Sequence, residues 1–496
     1  MSEALGILRA GVHVPRLRLA RARIAEAMSW TRPDAERAPS GTRAIANWDE
    51  DALTLAVEAA RGCLGQAGAG SASGSSPARA GAAVEAPARI VFSSTTAPFA
   101  DRDNAVLIAT ALDLPEATRT SNVGSTQRAA TGALVAELES GARLRSLVVA
   151  SDLRLARPGS AQDMSYGDAA AALLVGPAGT GSLASILAAH SIADDFVDHY
   201  RMSGQRFDYA LEERWIRDEG LSTLVPRAVA ALLDGAGVRP ADIRHLALPL
   251  PEHTARRVAA LCGLEKARRD TRVAEHCGDA GAAAPLLALI AALEHAQRGE
   301  HVLLLGIGQG VDALLLRVED GVQGFDVLTR ALAAGREERS YTRYLAHRGL
   351  LEVDFGMRAE RDQRTAHSVA WRKREQLGAF RGGRCSACGT VQFPRARVCV
   401  NPACRATDTQ APHRLADSRG TVKTFTEDWQ AYAARPPYVY GNVEFAEGGN
   451  LLMEFTDVEP GQLAVGRPVR FVFRIKDEDR ARAFRRYFWK ATPVEA

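Results

Sequence analysis

Cysteine is scarce in this chain. There are seven among 496 residues, and four of them (385, 388, 399 and 404) fall close together while Cys63, Cys262 and Cys277 are scattered. Scarcity excludes a disulfide framework, and the clustering points to metal. An excess of charge of one sign is also missing: 62 Lys plus Arg face 59 Asp plus Glu, a formal charge of +3, which argues against a general nucleic-acid binder. Long apolar runs are absent too. No stretch of about 18 apolar residues occurs, so no membrane-spanning helix is expected. The start, Met-Ser-Glu-Ala-Leu, lacks a basic region followed by an apolar one, and a cytoplasmic location is expected. With 46% hydrophobic and 24% charged residues, the length suits two or three cores.

A further absence lies in Ser121-Asn-Val-Gly-Ser-Thr-Gln-Arg-Ala-Ala-Thr-Gly-Ala-Leu134. This polar, glycine-bearing turn runs into a helix of small residues, an arrangement that presents a side chain and backbone N–H groups to a buried point. The residue at that point is Gln127. Glutamine donates and accepts hydrogen bonds but forms neither a thiolate nor an alkoxide.

The flanking chain has the rhythm of a layered α/β domain. Leu53, Val57, Ala60 and Leu64 recur at helical spacing behind an acidic turn. From Gln66 to Pro87 the Gly, Ala, Ser and Pro content predicts a surface loop. Strands are predicted at Gly6–Val12, Arg89–Ser94, Ser146–Ala150 and Ala170–Val175, with a helix at Asn104–Leu112. The order then repeats: a helix at Ser222–Leu233, a strand at His245–Pro249, a helix at Thr254–Leu261, a polar turn at Glu275–Gly281, a helix at Pro285–Ala296, and strands at His301–Gly306 and Asp312–Val318. This repetition predicts an internal duplication, with pseudo-repeats of about 1–180 and 181–318. Residues 319–378 are expected to be a helical linker, with connecting helices at Val327–Arg343 and Arg358–Gln376. Residues 379–410 hold the cysteine cluster and 411–496 a β-rich barrel. Val469, Phe471, Phe473 and Ile475 mark one face of a strand there.

Cys385-Ser-Ala-Cys388 and Cys399-Val-Asn-Pro-Ala-Cys404 are two short-spaced thiol pairs. Four cysteines close a tetrahedral site with no position for water, so the expected metal is structural zinc.

Residues 380–492 resemble the rubredoxin-like zinc-ribbon plus OB-fold (DUF35-type) modules that accompany thiolase-superfamily enzymes. The resemblance is carried by Arg384–Pro394, Gly420–Thr426, Pro436–Gly441, Thr456-Asp457 and Tyr487–Pro493. Residues 1–318 are similar to the 3-hydroxy-3-methylglutaryl-CoA synthase branch of the thiolase fold. There the matches are Gly11–Pro15, Asp49–Thr54, Ser93–Phe99, Gln127–Thr131 and Gly306–Asp312. The resemblance implies an α/β chain with a duplicated, five-layered αβαβα thiolase-like fold, followed by a helical connector, a zinc ribbon and an OB barrel. It also implies CoA thioesters as ligands and a homo-oligomer or a complex with a thiolase.

In that family a cysteine is acylated, a histidine orients the second thioester and a glutamate transfers protons. The corresponding positions hold Gln127, Pro249 and Thr95, none of which can play those roles. Candidates to replace them are His276 and Asp279 in the second polar turn, with Cys277 a weaker nucleophile. His276 reads equally as a hydrogen-bonded structural residue. His199 and Tyr200 are possible acid–base groups in what otherwise reads as a charge-rich surface insertion. Two functions are carried forward: an acyl-CoA-processing subunit that makes or breaks a C–C bond next to the thioester by a retro-aldol, Claisen or decarboxylative route without an acyl-enzyme, or an inactive scaffold that supplies a partner thiolase with its CoA channel. Single-stranded nucleic-acid binding by the barrel, suggested by the aromatics within Arg480–Lys490, is the third and least supported.

Overall fold

The computed structural model describes residues 4–31, 40–66, 85–141, 144–358, 364 and 366–494. The loop expected at Gln66–Pro87 lies mostly outside these residues. Nine strands form the main sheet: β1 Leu5–His13, β2 Arg89–Ser93, β3 Arg119–Val123, β4 Ser146–Asp152, β5 Ala169–Pro177, β6 Ala184–Ala193, β7 Ile243–Ala247, β8 His301–Ile307 and β9 Gly310–Val318. Their spatial order is β7-β8-β9-β6-β1-β5-β4-β2-β3. The order mirrors about the β1–β6 seam, where Leu5 faces Ile186 and Ile7 faces Ala184. On one side β3, β2 and β4 are parallel and β5 is antiparallel; on the other, β7 and β8 are parallel and β9 is antiparallel. A lone parallel bridge from His245 to Arg268 stands where the second half lacks a counterpart of β3. The duplication read from the sequence is therefore present in the topology.

Alternation along the strands builds five layers. On β5, Ala171 and Leu173 face a central core while Ala170, Ala172 and Leu174 face an outer one; on β8, Val302 and Leu304 face the centre and Leu303 and Leu305 the opposite outer face. Helices α3 (Ala129–Glu139) and α6 (Ala284–Leu293) fill the central layer, where Ala130, Ala133 and Leu134 meet Leu286, Leu287 and Ile290. The outer layers are α1 (Ala52–Leu64) with α2 (Asn104–Ala111), and α4 (Val225–Ala236) with α5 (Glu252–Leu261). α4 begins three residues later than the sequence indicates, after a wide turn over Ile216–Leu224.

Helix α1 starts at Asp51, whose carboxylate accepts from the Leu53 and Thr54 N–H groups while Thr54 Oγ1 accepts from Asp51 N–H. All of its residues are buried, polar ones included, because the C-terminal barrel covers the face turned away from the sheet.

The linker departs from the expected helices. Val327–Ala333 and Tyr341–His347 are separate helices, divided by a strand at Arg336–Glu338 that pairs in parallel with Leu17–Leu19. Buried Glu338 accepts from Ser340 N–H and from Arg343, and Ser340 caps the second helix, so local side-chain bonds override a continuous helix. In place of the second long helix are the short His367–Arg372 and Arg374–Leu377.

Ribbon strands β10 (Arg381–Cys385), β11 (Val391–Gln392) and β12 (Gln410–Arg414) precede the barrel strands. These are β13 (Gly420–Val422), β14 (Thr426–Asp428), β15 (Tyr438–Phe445), β16 (Asn450–Glu454), β17 (Pro468–Asp479) and β18 (Phe484–Pro493). Trp489, Phe471 and Phe380 form the barrel core. The barrel docks on α1 through buried charge. Arg61 donates to the Phe471 and Ala416 carbonyls, and Glu58 accepts from Phe473 N–H. Arg474 binds Glu50 and Asp457, and Lys490 binds Asp49 and Glu454. These contacts pair buried charges across the interface, while Asp49 Oδ1 and the Nε atoms of Arg61 and Arg474 make no hydrogen bond among the described residues.

Candidate active site

The turn before α3 is held from β8–β9. Ser125 adopts a left-handed φ of 70°, Thr126 Oγ1 donates to the Gly308 carbonyl at 3.0 Å, and Arg128 donates to Gly308 O and to Asp312 at 2.8 Å. Asp312 also accepts from Thr131 and Ser191. Gly306 is required here: a Cβ on it would lie 2.0 Å from Thr131 Oγ1. The two halves thus clamp the turn so that Gln127 points inward.

Three donors surround one side of the Gln127 carboxamide, which assigns the oxygen to that side. Oε1 accepts from His199 Nε2 at 3.0 Å and from both Arg154 Nη atoms at 2.9 Å. Arg154, which follows the end of β4, also donates to Asp279 Oδ2 at 2.8 Å and to Asp208 at 2.9 Å, and its guanidinium lies 3.8 Å from the centre of the Tyr166 ring. Tyr166 Oη donates to Asp208 at 2.9 Å. Burial together with Asp208 and Asp279 pushes Tyr166 above the usual phenol range against the Arg154 charge, so it stays a proton donor. Burial acts to lower Arg154, but Asp279, Tyr166 and Asp208 hold it above its ordinary value and hence charged.

Thr95 lies at the end of β2. Its N–H and hydroxyl, with those of Thr96 and the hydroxyl of Ser94, all donate to buried Asp152, which also accepts from Ala282 N–H. Asp152 is therefore saturated with donors and Thr95 is locked. Pro249 lines a cavity of about 670 Å³ whose wall includes Met28, Met164, Leu250, Val273 and Asp279. Asp279 borders this cavity and also binds Arg154, and it is the one member of the Gln127 cluster in the cavity wall.

Of the candidates named from sequence, Gln127 and Asp279 are brought together through Arg154. His276 is not part of that cluster: it is exposed, and its carbonyl accepts from Thr42 Oγ1. Cys277 is buried, its thiol donates to the Asp168 carbonyl, and burial pushes it up to about 12, which makes it inert as a nucleophile. The insertion read as a charge-rich surface reaches the cluster instead, through the hairpin of His199–Tyr200 and Tyr209–Ala210. Sequence reasoning also passed over Arg154, Tyr166 and Asp208. The only signals were the Ser165-Tyr-Gly-Asp168 turn and the Phe207-Asp208 pair, neither of which says what it faces.

In the ribbon, the Sγ atoms of Cys385, Cys388, Cys399 and Cys404 all lie within 4.8 Å of one another. The Cys388–Cys399 pair is 3.6 Å apart and Cys385–Cys404 is 3.9 Å. A tetrahedral zinc with Zn–S bonds of about 2.3 Å separates its sulfurs by roughly 3.8 Å, so the four thiols fit the ion.

Known proteins align with this division. Residues 372–410 match the family described as the ChsH2 rubredoxin-like zinc ribbon domain, and residues 413–474 match the ChsH2 C-terminal OB-fold domain. A hydroxymethylglutaryl-CoA synthase of Aeropyrum pernix is 27% identical over 365 residues, covering 72% of this chain and 94% of that protein. A DUF35 domain-containing scaffold protein of Methanocaldococcus jannaschii is 30% identical over 129 residues, 25% of this chain and 89% of that protein. The solved structure of MvaS in complex with 3-hydroxy-3-methylglutaryl coenzyme A shares the fold, with a TM-score of 0.57 at 20% identity over 71% of this chain and 93% of that one. Fold and site together define a thiolase-type αβαβα protein, similar to hydroxymethylglutaryl-CoA synthases, fused to a zinc ribbon and an OB barrel. Through that C-terminal unit the chain belongs to the DUF35 domain family. No described helix is long and apolar enough to cross a membrane.

Proposed function

We propose that this chain acts on acyl-CoA thioesters, making or breaking the C–C bond beside the carbonyl through an enolate and without an acyl-enzyme. The observation that carries this is Gln127: an amide stands at the end of the turn, bonded to Arg154 and His199, and Arg154 in turn binds Asp279, which lines a cavity of about 670 Å³. A carboxamide and a buried guanidinium stabilise developing negative charge on a thioester oxygen without forming a bond to carbon. Support also comes from the relatives, which are named for a CoA thioester product, and from the fold neighbour bound to one. The test is to incubate the full chain, alone and with a thiolase, with a panel of 3-hydroxyacyl- and 3-oxoacyl-CoA esters. Products shortened at the C2–C3 bond are expected, and their absence across the panel sinks the reading.

A second reading is that of a scaffold that holds a separate, cysteine-bearing thiolase and supplies its CoA channel. It draws on the scaffold protein related to the C-terminal quarter and on the cluster itself, in which Arg154 is balanced by Asp208 and Asp279. It predicts co-purification with an active thiolase whose turnover survives Gln127→Ala but not deletion of 380–496. Nucleic-acid binding loses its support, because Tyr487 and Trp489 are buried in the barrel rather than displayed for base stacking.

A further inference from the structure

The hairpin of His199–Tyr200 and Tyr209–Ala210, with its connecting loop, enters the sequence between β6 and α4 and brings three side chains to the turn. His199 meets Gln127, Arg201 donates to the Thr95 carbonyl, and Asp208 meets Arg154 and Tyr166. Gln127, Pro249 and Thr95 leave their own positions without a group that exchanges protons near neutrality. The hairpin brings an imidazole to them.

His199 is oriented from both sides. Its Nδ1 lies 2.9 Å from Asp198 Oδ1, the oxygen that also accepts from Gln309 Nε2 at 3.2 Å and from the His199 backbone N–H at 2.8 Å. Burial acts to raise Asp198, but the hydrogen bond and charge of His199 hold it below the usual carboxylate range. An anionic Asp198 fixes the proton on Nδ1 and leaves Nε2 for exchange. Arg154 fixes the Gln127 oxygen on this side, so Oε1 accepts from Nε2–H, and a bare Nε2 gives up that bond and is left for substrate.

We propose, resting on the acyl-CoA reading above, that the substrate class is a 3-hydroxyacyl-CoA and that His199 is the proton-transfer residue of its retro-aldol cleavage, with Asp198 and Gln309 as positioning residues. Nε2 takes the proton of the 3-hydroxyl, whose O–H electron pair becomes the second bond of the new carbonyl at C3. The C2–C3 bond breaks, and its electrons pass to C2 and the thioester oxygen as an enolate. The proton on Nε2 then returns to C2. The products are an aldehyde or ketone and a shortened acyl-CoA; nothing is oxidised or reduced, and no co-reactant is consumed. Decarboxylation forms the same enolate without a base, so an oriented imidazole has no part in its first step. Claisen cleavage needs a nucleophile to receive the acyl group, which Gln127 cannot be.

The test uses the full chain with 3-hydroxyacyl-CoA esters in D2O, reading the carbonyl product, the shortened thioester and deuterium at its C2 by mass spectrometry. His199→Ala is expected to lower kcat by about 10²- to 10³-fold with little change in KM, and added imidazole to restore part of it. Asp198→Asn is expected to lower kcat about tenfold, again with KM little changed. Thermal melts of both variants establish that they fold. If wild type cleaves and His199→Ala keeps kcat within about threefold, the His199 assignment is overturned while the acyl-CoA reading stands. Wild type that decarboxylates malonyl-type (2-carboxyacyl) CoA esters but cleaves no 3-hydroxyacyl ester has the same meaning. Wild type that neither binds nor converts any acyl-CoA overturns both.

Discussion

Arg154 Nη1 lies 2.8 Å from Asp279 Oδ2, tying the end of β4 in the first half to the second polar turn in the other. The same guanidinium serves Asp208, whose side chain is 9% exposed. Arg154→Ala therefore strands a buried carboxylate, and a loss of about 3–5 kcal/mol is expected. Asp279 is 36% exposed, so Asp279→Asn is expected to lose only about 1 kcal/mol once solvent screening is included. Urea denaturation of the two variants measures the difference; equal losses would mean that Arg154 is not the hub of this cluster.

Gln127→Ala removes the acceptor for three donors while leaving the turn, which is clamped by Thr126, Arg128 and Asp312. If Gln127 polarises the thioester, kcat falls on the order of 10²-fold, the usual effect of deleting one oxyanion donor. Melting temperature is expected to change little. A variant with wild-type kcat favours the scaffold reading, since in that reading the turn touches no reacting atom.

Much of the fold was legible because it follows strand alternation and helix spacing. Leu53, Val57, Ala60 and Leu64 mark a helix by spacing alone, and Cys385 to Cys404 announce their chemistry by spacing. What escaped was set by tertiary contact. β3 was read as part of the turn because it is a polar edge strand, Arg-Thr-Ser-Asn-Val, with little burial to enforce a pattern. The alanine-rich β6 was passed over because only two of its ten residues, Ile186 and Ile192, are β-branched. Helix α1 looked like an ordinary amphipathic helix, yet Glu58 and Arg61 are buried by a barrel that lies some 400 residues further along the chain. The site shows the same limit. Gln127 was visible as a departure from a pattern, whereas His199 and Asp208 sit in an insertion whose sequence is that of any solvated loop, and only folding aims them at Arg154.

Four thiols at zinc spacing make metal content a direct test. The protein is expected to carry zinc at one ion per four-cysteine cluster, and Cys399→Ser to abolish it, as read by atomic absorption. Because classical ribbons fold with their metal, loss of zinc should make residues 381–414 susceptible to protease before the α/β half. Full zinc occupancy in Cys399→Ser would place the ion elsewhere.

The barrel and its seat on α1 should both weaken in acid. Burial acts to raise Glu58, but Arg61 and Arg470 hold it down to about 2; Glu454 is likewise buried, and Lys490 and Lys476 hold it down to about 2. A carboxylate whose folded value lies below its unfolded value of about 4.3 contributes stability that is complete above that value and is lost as pH falls through the folded one. The window is therefore from about pH 5 down to about 2, and the two groups together account for a few kcal/mol. Asp49 works in the opposite direction, since burial raises it despite Lys490 and Arg474. Melting temperatures taken at descending pH should fall through this window for wild type. In Glu58→Gln, which keeps an acceptor for Phe473 N–H but has no charge to lose, stability should start lower and the slope should be shallower. Parallel curves for the two proteins would show that Glu58 titrates alike in the folded and unfolded chain, and would remove the Glu58–Arg470 pair from the forces that hold the barrel to α1.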